Sequence, residues 1–304
     1  MFPELHFNQH NMRTPVIICF GEVLWDVLPT GKIAGGAPMN VAFHANQLSL
    51  SAQMISRVGD DDLGRELLDF LNNKGVSTRL IQTDPTYSTG MVNVVLDEKG
   101  SPSYDIVQPA AWDFIHPSNE MTDTVKEAEA LVFGSLSCRN ERSRRTLFEL
   151  LDAATLRVFD VNLRTPFFSK NLLEALLSET DIVKMNDEEL TQLAGFWSAK
   201  TDERSQIEFI KKKFNLASVI VTRGPYGAAL LNDEGFYLQK GFKVEVQDTI
   251  GSGDAFLGAF LSRMLTGLPA QECLEFACAA GAFVATKKGG TPAYSSAELL
   301  SAIN

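Results

Sequence analysis

"DTIGSGDAFLGAFLSRMLTG", residues 248–267, sets a glycine-rich turn against the start of an apolar helix. Phe256, Phe260 and Met264 recur at i, i+4, Leu257, Leu261 and Leu265 widen the stripe, and Gly267 supplies a stop. The backbone N–H groups around Gly251, Ser252 and Gly253 are then helix-start donors without intrahelical partners. No bulky side chain keeps an anion away from them. Such a turn suits an oxyanion or a transferring phosphoryl group. Yet it contains no lysine and ends on Asp254, a carboxylate that a phosphate should repel. Taken alone, the turn reads more simply as a tight bend with an ordinary first-turn helix acid. Asp254 gains a purpose if it takes the proton from an attacking hydroxyl.

Two other glycine loops do not fit. A Walker A loop requires G-K-[ST], which is absent here, and "GGAPMN" (35–40) fails the G-x-G-x-x-G spacing of a dinucleotide fold. Outward from the turn, short β-branched runs alternate with helical patterns, which argues for βαβ units and a mostly parallel sheet. Strands are predicted at 16–20, 52–56, 130–133, 156–160, 181–184 and 218–222. A helix over 61–75 places Leu63, Leu67, Leu68 and Leu71 on one face and closes at Gly75.

Two segments break this rhythm. "STGMVNVVLDEKGSPSYDIV" (88–107) alternates at period two around "DEKG", and "EVLWDVLPTGKIAGG" (22–36) is similarly short-stranded. Together they are expected to form a small antiparallel sheet outside the main one. The polar stretches after the predicted strands mark the rim where open α/β sheets bind ligands.

The bulk numbers narrow the function. At 304 residues the chain is long enough for a large core, and 45% hydrophobic with 21% charged residues is a globular composition. A net charge of −11, spread along the chain, opposes binding to nucleic acid or to anionic membranes. Cys19, Cys138, Cys273 and Cys278 form no C-x-x-C pair, so buried reduced thiols and a cytoplasmic location are expected rather than a zinc site. "PVIICF" (15–20) is too short to span a bilayer or to serve as a signal-peptide core. The first 14 residues read as a loose leader, with His6 and His10 solvated.

Four segments taken together resemble the PfkB, or ribokinase-like, carbohydrate kinases: "GGAPMNVAFHANQLSL" (35–50), "SRVGDDDLG" (56–64), "VTRGPYGA" (221–228) and "DTIGSGD" (248–254). The resemblance runs from about residue 16 to about residue 293. "FGEVLWDVLP", "PTYSTG", "AAWDFI", "VFGSLS" and "FDVNLR" are more similar to the fructokinase branch than to ribokinases or adenosine kinases. The resemblance implies a single domain over 1–304, a ribokinase-like three-layer α/β/α fold with a mostly parallel central sheet. A small β-sheet lid would be formed by about 23–34 and 87–112.

It also implies roles. Asp254 becomes the general base for a sugar hydroxyl, and Gly251, Ser252 and Gly253 the anion hole. Asp26, Gly35, Gly36 and Asn40 match the positions that grip the sugar; a carboxylate accepts from hydroxyls, while an amide both donates and accepts. Tyr104 and Ile106 should face the sugar from the lid. The apolar Ile106 stands near where kinases of keto-acid sugars tend to carry an arginine, which disfavours an acidic sugar. Arg164 should contact the sugar or the transferring phosphate. On the nucleotide side, Thr222, Arg223, Gly224 and Gly227 resemble contacts to ATP. The small residues of 276–290 would let an adenine ring lie against backbone. Asn186 and Glu189 have the N-x-x-E spacing used to organise Mg²⁺ and its waters, although an Asn helix cap followed by acids has the same pattern. A monovalent cation such as K⁺ is also allowed, held by Asp248 and the carbonyls of Ile250, Ala285, Lys288 and Gly290.

The expected partners are therefore a small sugar and ATP, with fructose yielding fructose 6-phosphate, and a homodimer through the lid is a further family expectation. Competing readings keep the same fold. One is a kinase for ribose, 2-keto-3-deoxygluconate, a nucleoside or a phosphosugar, the last requiring a basic cluster not seen in the lid. Another is a non-catalytic sugar or nucleotide sensor, which would have no need of Asp254 and its glycines.

Overall fold

The structure, a computed structural model, describes residues 13–28, 31–96 and 102–303, and the side chains of all of these except 94–96, 102–104, 300, 302 and 303. Residues 1–12 of the expected leader, with His6 and His10, lie outside the described residues, as does the "DEKG" turn.

The chain runs β1 (Val16–Phe20), β2 (Leu24–Leu28), β3 (Gly31–Gly35), α1 (Ala37–Gln47), β4 (Ser51–Gly59), α2 (Asp62–Asn73) and β5 (Ser77–Asp84). It continues as β6 (Gly90–Leu96), β7 (Pro102–Ile106), α3 (Asn119–Glu127), β8 (Ala130–Gly134), α4 (Glu141–Leu151) and β9 (Arg157–Asp160). Then come α5 (Lys170–Ser178), β10 (Ile182–Asn186), α6 (Asp187–Gly195), α7 (Glu203–Phe214) and β11 (Ser218–Thr222). The hairpin β12 (Ala228–Leu231) and β13 (Phe236–Gln239) precedes α8 (Ser252–Met264), α9 (Ala270–Ala285) and α10 (Ser296–Ile303).

Nine strands form one sheet in the order β13-β12-β11-β10-β9-β8-β1-β4-β5. Every ladder is parallel except the two made by β12. β1 lies inside this sheet, and Ile17, Ile18, Cys19 and Phe20 are fully buried, as a strand covered on both faces must be. Its alternation separates two cores. Ile17 and Cys19 pack with α1, α2, α8 and α9, while Ile18 and Phe20 pack with α3 to α7. This is the expected three-layer α/β/α arrangement. The sequence reading found six of the nine strands; β5 is broken up by polar residues, and β12 (AALL) and β13 (FYLQ) are four-residue strands with no β-branched residue.

A second sheet of four strands, β3-β2-β6-β7, stands apart from the first. Each hairpin is antiparallel, but β2 and β6 pair in parallel, which corrects the expectation of an antiparallel sheet throughout. The reason is connectivity. β2 follows β1 and β6 follows β5, both of which run the same way in the main sheet, so the two strands leave it in the same sense.

Motifs at the root of this sheet are structural. Asp61 caps α2 by accepting from Gly64 N at 2.7 Å, and its carboxylate also takes the Thr89 amide at 2.9 Å and hydroxyl at 2.7 Å. It thereby staples α2 to the start of β6. In "AAWDFI", Asp113 forms a buried ion pair with Arg139 at 2.7 Å, and the guanidinium stacks 3.9 Å from the Trp112 ring centre. Among the described residues no helix is long and apolar enough to cross a membrane.

Candidate active site

The glycine turn sits beyond the carboxyl ends of the parallel strands, at the start of α8. Gly251 adopts φ +76°, and a Cβ there would come 2.4 Å from the Gly290 carbonyl oxygen. Only glycine fits both demands. A Cβ at Gly253 would come 3.0 Å from the Lys184 ammonium, so this turn rests directly on a buried cation. The Ser252 hydroxyl is buried and has no hydrogen-bond partner among the described residues.

Asp254 occupies the first turn of α8, and its Oδ2 accepts from Asn40 Nδ2 at 2.8 Å. Two residues 214 positions apart thus meet at one point. Burial, and then the negative charge of Asp160, push the Asp254 carboxyl up to about 6; Lys184, the Asn40 hydrogen bond and Arg164 act in the opposite direction. Asn40 is itself buried, and its Oδ1 lacks a partner among the described residues.

Lys184, on β10, is one residue that sequence reasoning missed. Its Nζ lies 2.9 and 3.0 Å from the two Asp160 oxygens, at the end of β9. Burial alone would depress the ammonium, but Asp160 and Asp254 outweigh it and hold the group raised, so it stays charged. The available signal was a lysine inside the apolar strand "DIVK", two residues before Asn186.

The predicted sugar residues gather on the other side of Asp254. In the small sheet, Ile33, Asp26, Val92 and Ile106 form one row across the four strands, with Asp26 the only charge. Burial pushes the Asp26 carboxyl up to about 6. A Cβ at Gly35 would lie 2.5 Å from Asp26 Oδ2, and one at Gly36 would lie 2.4 Å from the Glu22 carbonyl oxygen. The two glycines therefore give room for the carboxylate and for the entry into α1. Ile106 is buried with Leu24, Val92 and Trp112. Tyr104 lies in β7, and its side chain is outside the described residues.

Glu22, which sequence reasoning did not single out, is fully desolvated and its carboxyl is pushed up to about 7 by burial. Its Oε2 has no hydrogen-bond partner among the described residues. Arg164 is exposed, donates to the adjacent Leu163 carbonyl at 3.0 Å, and makes no ion pair among the described residues. Its charge is felt by Glu22, Asp26 and Asp254 together.

On the opposite side of the turn a cavity of about 630 Å³ opens. It is lined by Ser252 and Gly253 of the turn, by Thr222, Gly224 and Gly227 at and after the end of β11, and by Gly281, Ala282 and Ala285 of α9. The small-residue run of 276–290 thus faces this cavity and not only a helix neighbour. Phe242 and Val246 also line it, from a segment whose pattern carried no signal. Arg223 is turned away: it donates to the Ala228 carbonyl at 3.0 Å and lies 3.6 Å from Glu203.

Asn186 and Glu189 form a capping box at the start of α6. Asn186 Oδ1 accepts from Glu189 N at 2.8 Å, and Glu189 Oε2 from Asn186 N at 2.9 Å. Glu189 Oε1 accepts from Leu163 N at 2.8 Å, which ties the start of α6 to the loop carrying Arg164. Asp248 accepts from Ile250 N and Gly289 N, both at 3.0 Å, and the Ala285 carbonyl accepts from Asp248 N at 3.2 Å. These bonds bring Asp248, Ile250, Ala285 and the Gly289–Gly290 pair to one junction. Lys288 is exposed beside it. The Gly290 carbonyl, however, faces His44 Nε2 at 2.9 Å.

A glycine turn and a buried carboxylate beside a cavity suit a phosphotransferase, and similarity agrees. The sequence pattern of the pfkB family carbohydrate kinases matches residues 9–297. Fructokinase-2 of Solanum lycopersicum is 30% identical over 307 residues, which span 91% of this chain and 92% of that protein. A fructokinase with bound ATP from Xylella fastidiosa has a TM-score of 0.84 at 27% identity, covering 95% of this chain and 98% of that one. The fructokinase of Vibrio cholerae O395, solved with fructose, ADP and calcium ion, has a TM-score of 0.83 at 25% identity, covering 96% and 99%. The chain therefore belongs to the pfkB family of carbohydrate kinases. It is a phosphotransferase acting on a sugar hydroxyl.

Proposed function

We propose that the chain transfers the γ-phosphoryl group of ATP to D-fructose, making fructose 6-phosphate, with Asp254 as general base. The observation that carries this reading is the Asn40–Asp254 hydrogen bond of 2.8 Å beside the turn whose Ser252 and Gly253 line the cavity of about 630 Å³. A hydroxyl held from the Asn40 side loses its proton to Asp254 as its oxygen attacks the phosphoryl group. Amides of Gly251, Ser252 and Gly253 receive the equatorial oxygens, with Lys184 beneath them adding a fixed positive charge.

Asp26, Gly35, Gly36 and Asn40 hold the sugar, and the unpartnered Asn40 Oδ1 accepts one of its hydroxyls. Ile106 supplies apolar contact, Tyr104 shares its strand, and Arg164 closes over the pair once both substrates are bound. The lack of an arginine cluster in the described part of the small sheet favours a neutral sugar over a phosphosugar or a sugar acid. Thr222, Gly224 and Gly227 border the triphosphate and ribose, and the wall of α9 takes the adenine ring. Arg223 serves this half indirectly, by fixing the strand ends.

Among the described residues no cluster of three His, Cys, Asp or Glu side chains is placed to ligate a metal directly. Asn186 and Glu189 nevertheless fit Mg²⁺ through water, because each Glu189 oxygen holds one amide and keeps a lone pair. The ion would neutralise charge developing on the β- and γ-phosphates. For K⁺ the fit is partial: Asp248, Ile250, Ala285 and Lys288 offer oxygens near one junction, while the Gly290 carbonyl is already held by His44.

The test is a panel of fructose, ribose, 2-keto-3-deoxygluconate and adenosine with coupled detection of ADP. Fructose should give the highest kcat/KM. Strong turnover of another acceptor with none on fructose removes the substrate assignment, and no ADP with any acceptor removes the mechanism.

A further inference from the structure

Asn40 and His44 lie one turn apart on α1. His44 is fully inaccessible to solvent and no step of the proposed reaction uses it. Its ring is satisfied at both ends, with Nε2 2.9 Å from the Gly290 carbonyl oxygen and Nδ1 2.8 Å from the Tyr294 hydroxyl. A carbonyl can only accept, so Nε2 carries the hydrogen and Nδ1 accepts from Tyr294. Burial pushes the imidazole down to about 4, so the ring is a neutral donor and acceptor at physiological pH. Gln47, one turn further on, accepts from Tyr294 N at 3.2 Å. Helix α1 thus grips the segment after α9 at two points.

That segment presses on the glycine turn. A Cβ on Gly251 would lie 2.4 Å from Gly290 O and 2.6 Å from Gly290 Cα, and a Cβ on Gly290 would lie 3.1 Å from the Asn40 amide nitrogen. α1 also crosses α8 at Gly258, where a Cβ would meet Ala45 N and His44 Cβ at 3.0 Å. His44 therefore stands where the helix bearing Asn40, the turn bearing the anion-hole amides and the Gly290 strap converge. An apolar residue would pack at lower desolvation cost but would leave the Gly290 carbonyl without this donor.

We propose that His44 is a positioning residue for phosphoryl transfer: by holding the Gly290 carbonyl it fixes the Gly251–Gly253 turn in register with Asn40 and Asp254. The inference rests on the kinase reading and adds to it a residue that touches neither substrate. Three variants of the full chain separate positioning from packing. His44→Gln keeps an N–H donor at about the reach of ring Nε2, His44→Asn keeps one at about the reach of Nδ1, and His44→Ala keeps neither.

With fructose and ATP, His44→Ala should lower kcat about ten-fold while both KM values stay within about two-fold. Without substrates, hydrogen exchange of the backbone amides in 249–254 should accelerate in the same variant. His44→Gln should restore most of both properties and His44→Asn little of either. Unchanged kcat or unchanged exchange in His44→Ala overturns the proposal, and so does equal rescue by Gln and Asn. If His44→Ala does not fold, the His44→Gln and His44→Asn pair carries the test; faster exchange at 249–254 in His44→Asn than in His44→Gln supports the proposal and equal exchange refutes it. Exchange is read on the unliganded protein, so an inactive wild-type chain would sink the kinase reading separately.

Discussion

On the side of Asp254 proposed for the nucleotide, the cavity is lined largely by backbone and small side chains: Gly224, Gly227, Gly281, Ala282 and Ala285. On the side proposed for the sugar stand ionisable groups largely shielded from water, with Asp26 and Glu22 pushed up to about 6 and about 7. The nucleotide half is drawn from residues 222–285, on elements of the main sheet and its helices. The sugar half joins β2, β3 and β7 of the small sheet to α1 and the loop after β9. The contrast fits the ligands proposed for the two halves. A flat ring and a triphosphate are recognised by shape and amide dipoles, whereas a neutral sugar must be told apart by where its hydroxyls point. Hydroxyl recognition needs buried carboxylates and amides, and it leaves the empty site electrostatically costly.

The largest effect should come where the halves meet. Asp254→Asn is expected to lower kcat about 10³-fold while ATP binding, followed by calorimetry, changes little. If Asp254 is the base, as proposed, it must be deprotonated to act, so kcat/KM should rise with pH through about 6, the value to which it is pushed. A variant with near-normal turnover would break the division of labour at its centre.

A step smaller, Asp26→Asn removes a charged acceptor from the sugar half alone. Sugar KM should rise about 30-fold with ATP KM unchanged, and parallel rises in both would show that the halves are not separable. Its counterpart is Ala282→Phe, which fills the wall of the cavity with a ring. That change should raise ATP KM about ten-fold by overpacking and spare the sugar KM.

The smallest effect concerns stability only. Glu22 titrates higher in the fold than its ordinary 4.5, so between about pH 4.5 and pH 7 the folded chain holds more protons than the unfolded one. Stability from this group is complete below that window and is lost as pH rises through it. Glu22→Gln should flatten the fall in melting temperature across the window. An unchanged slope would show that Glu22 is not the buried charge that the sugar half tolerates.

Much of the plan was legible in the chain. The loop-to-helix pattern of 248–267 located α8 and its amides, because a helix start with glycines has the same donors in any fold. The period-two segments marked both hairpins of the small sheet, but not the parallel β2–β6 ladder that joins them, since pairing between distant strands leaves no local trace. The N-x-x-E spacing was equally a capping box, and the structure contains that box.

Asp254 could be nominated from its neighbours in the sequence, yet its environment could not. Asn40, Asp160 and Lys184 reach it from three other elements; burial and the Asp160 charge push the carboxyl up to about 6, against the pull of Lys184 and Asn40. His44 was silent for the same reason: a histidine among apolar helix residues looks like packing until Gly290 and Tyr294 arrive from 246 and 250 residues away. The sequence by itself determined which segments become strands, helices and phosphate-type turns, because these depend on periodicity and backbone freedom within a few residues. Tertiary structure alone decided which charges are buried together, because burial, dielectric and pairing are properties of segments that are neighbours only after folding.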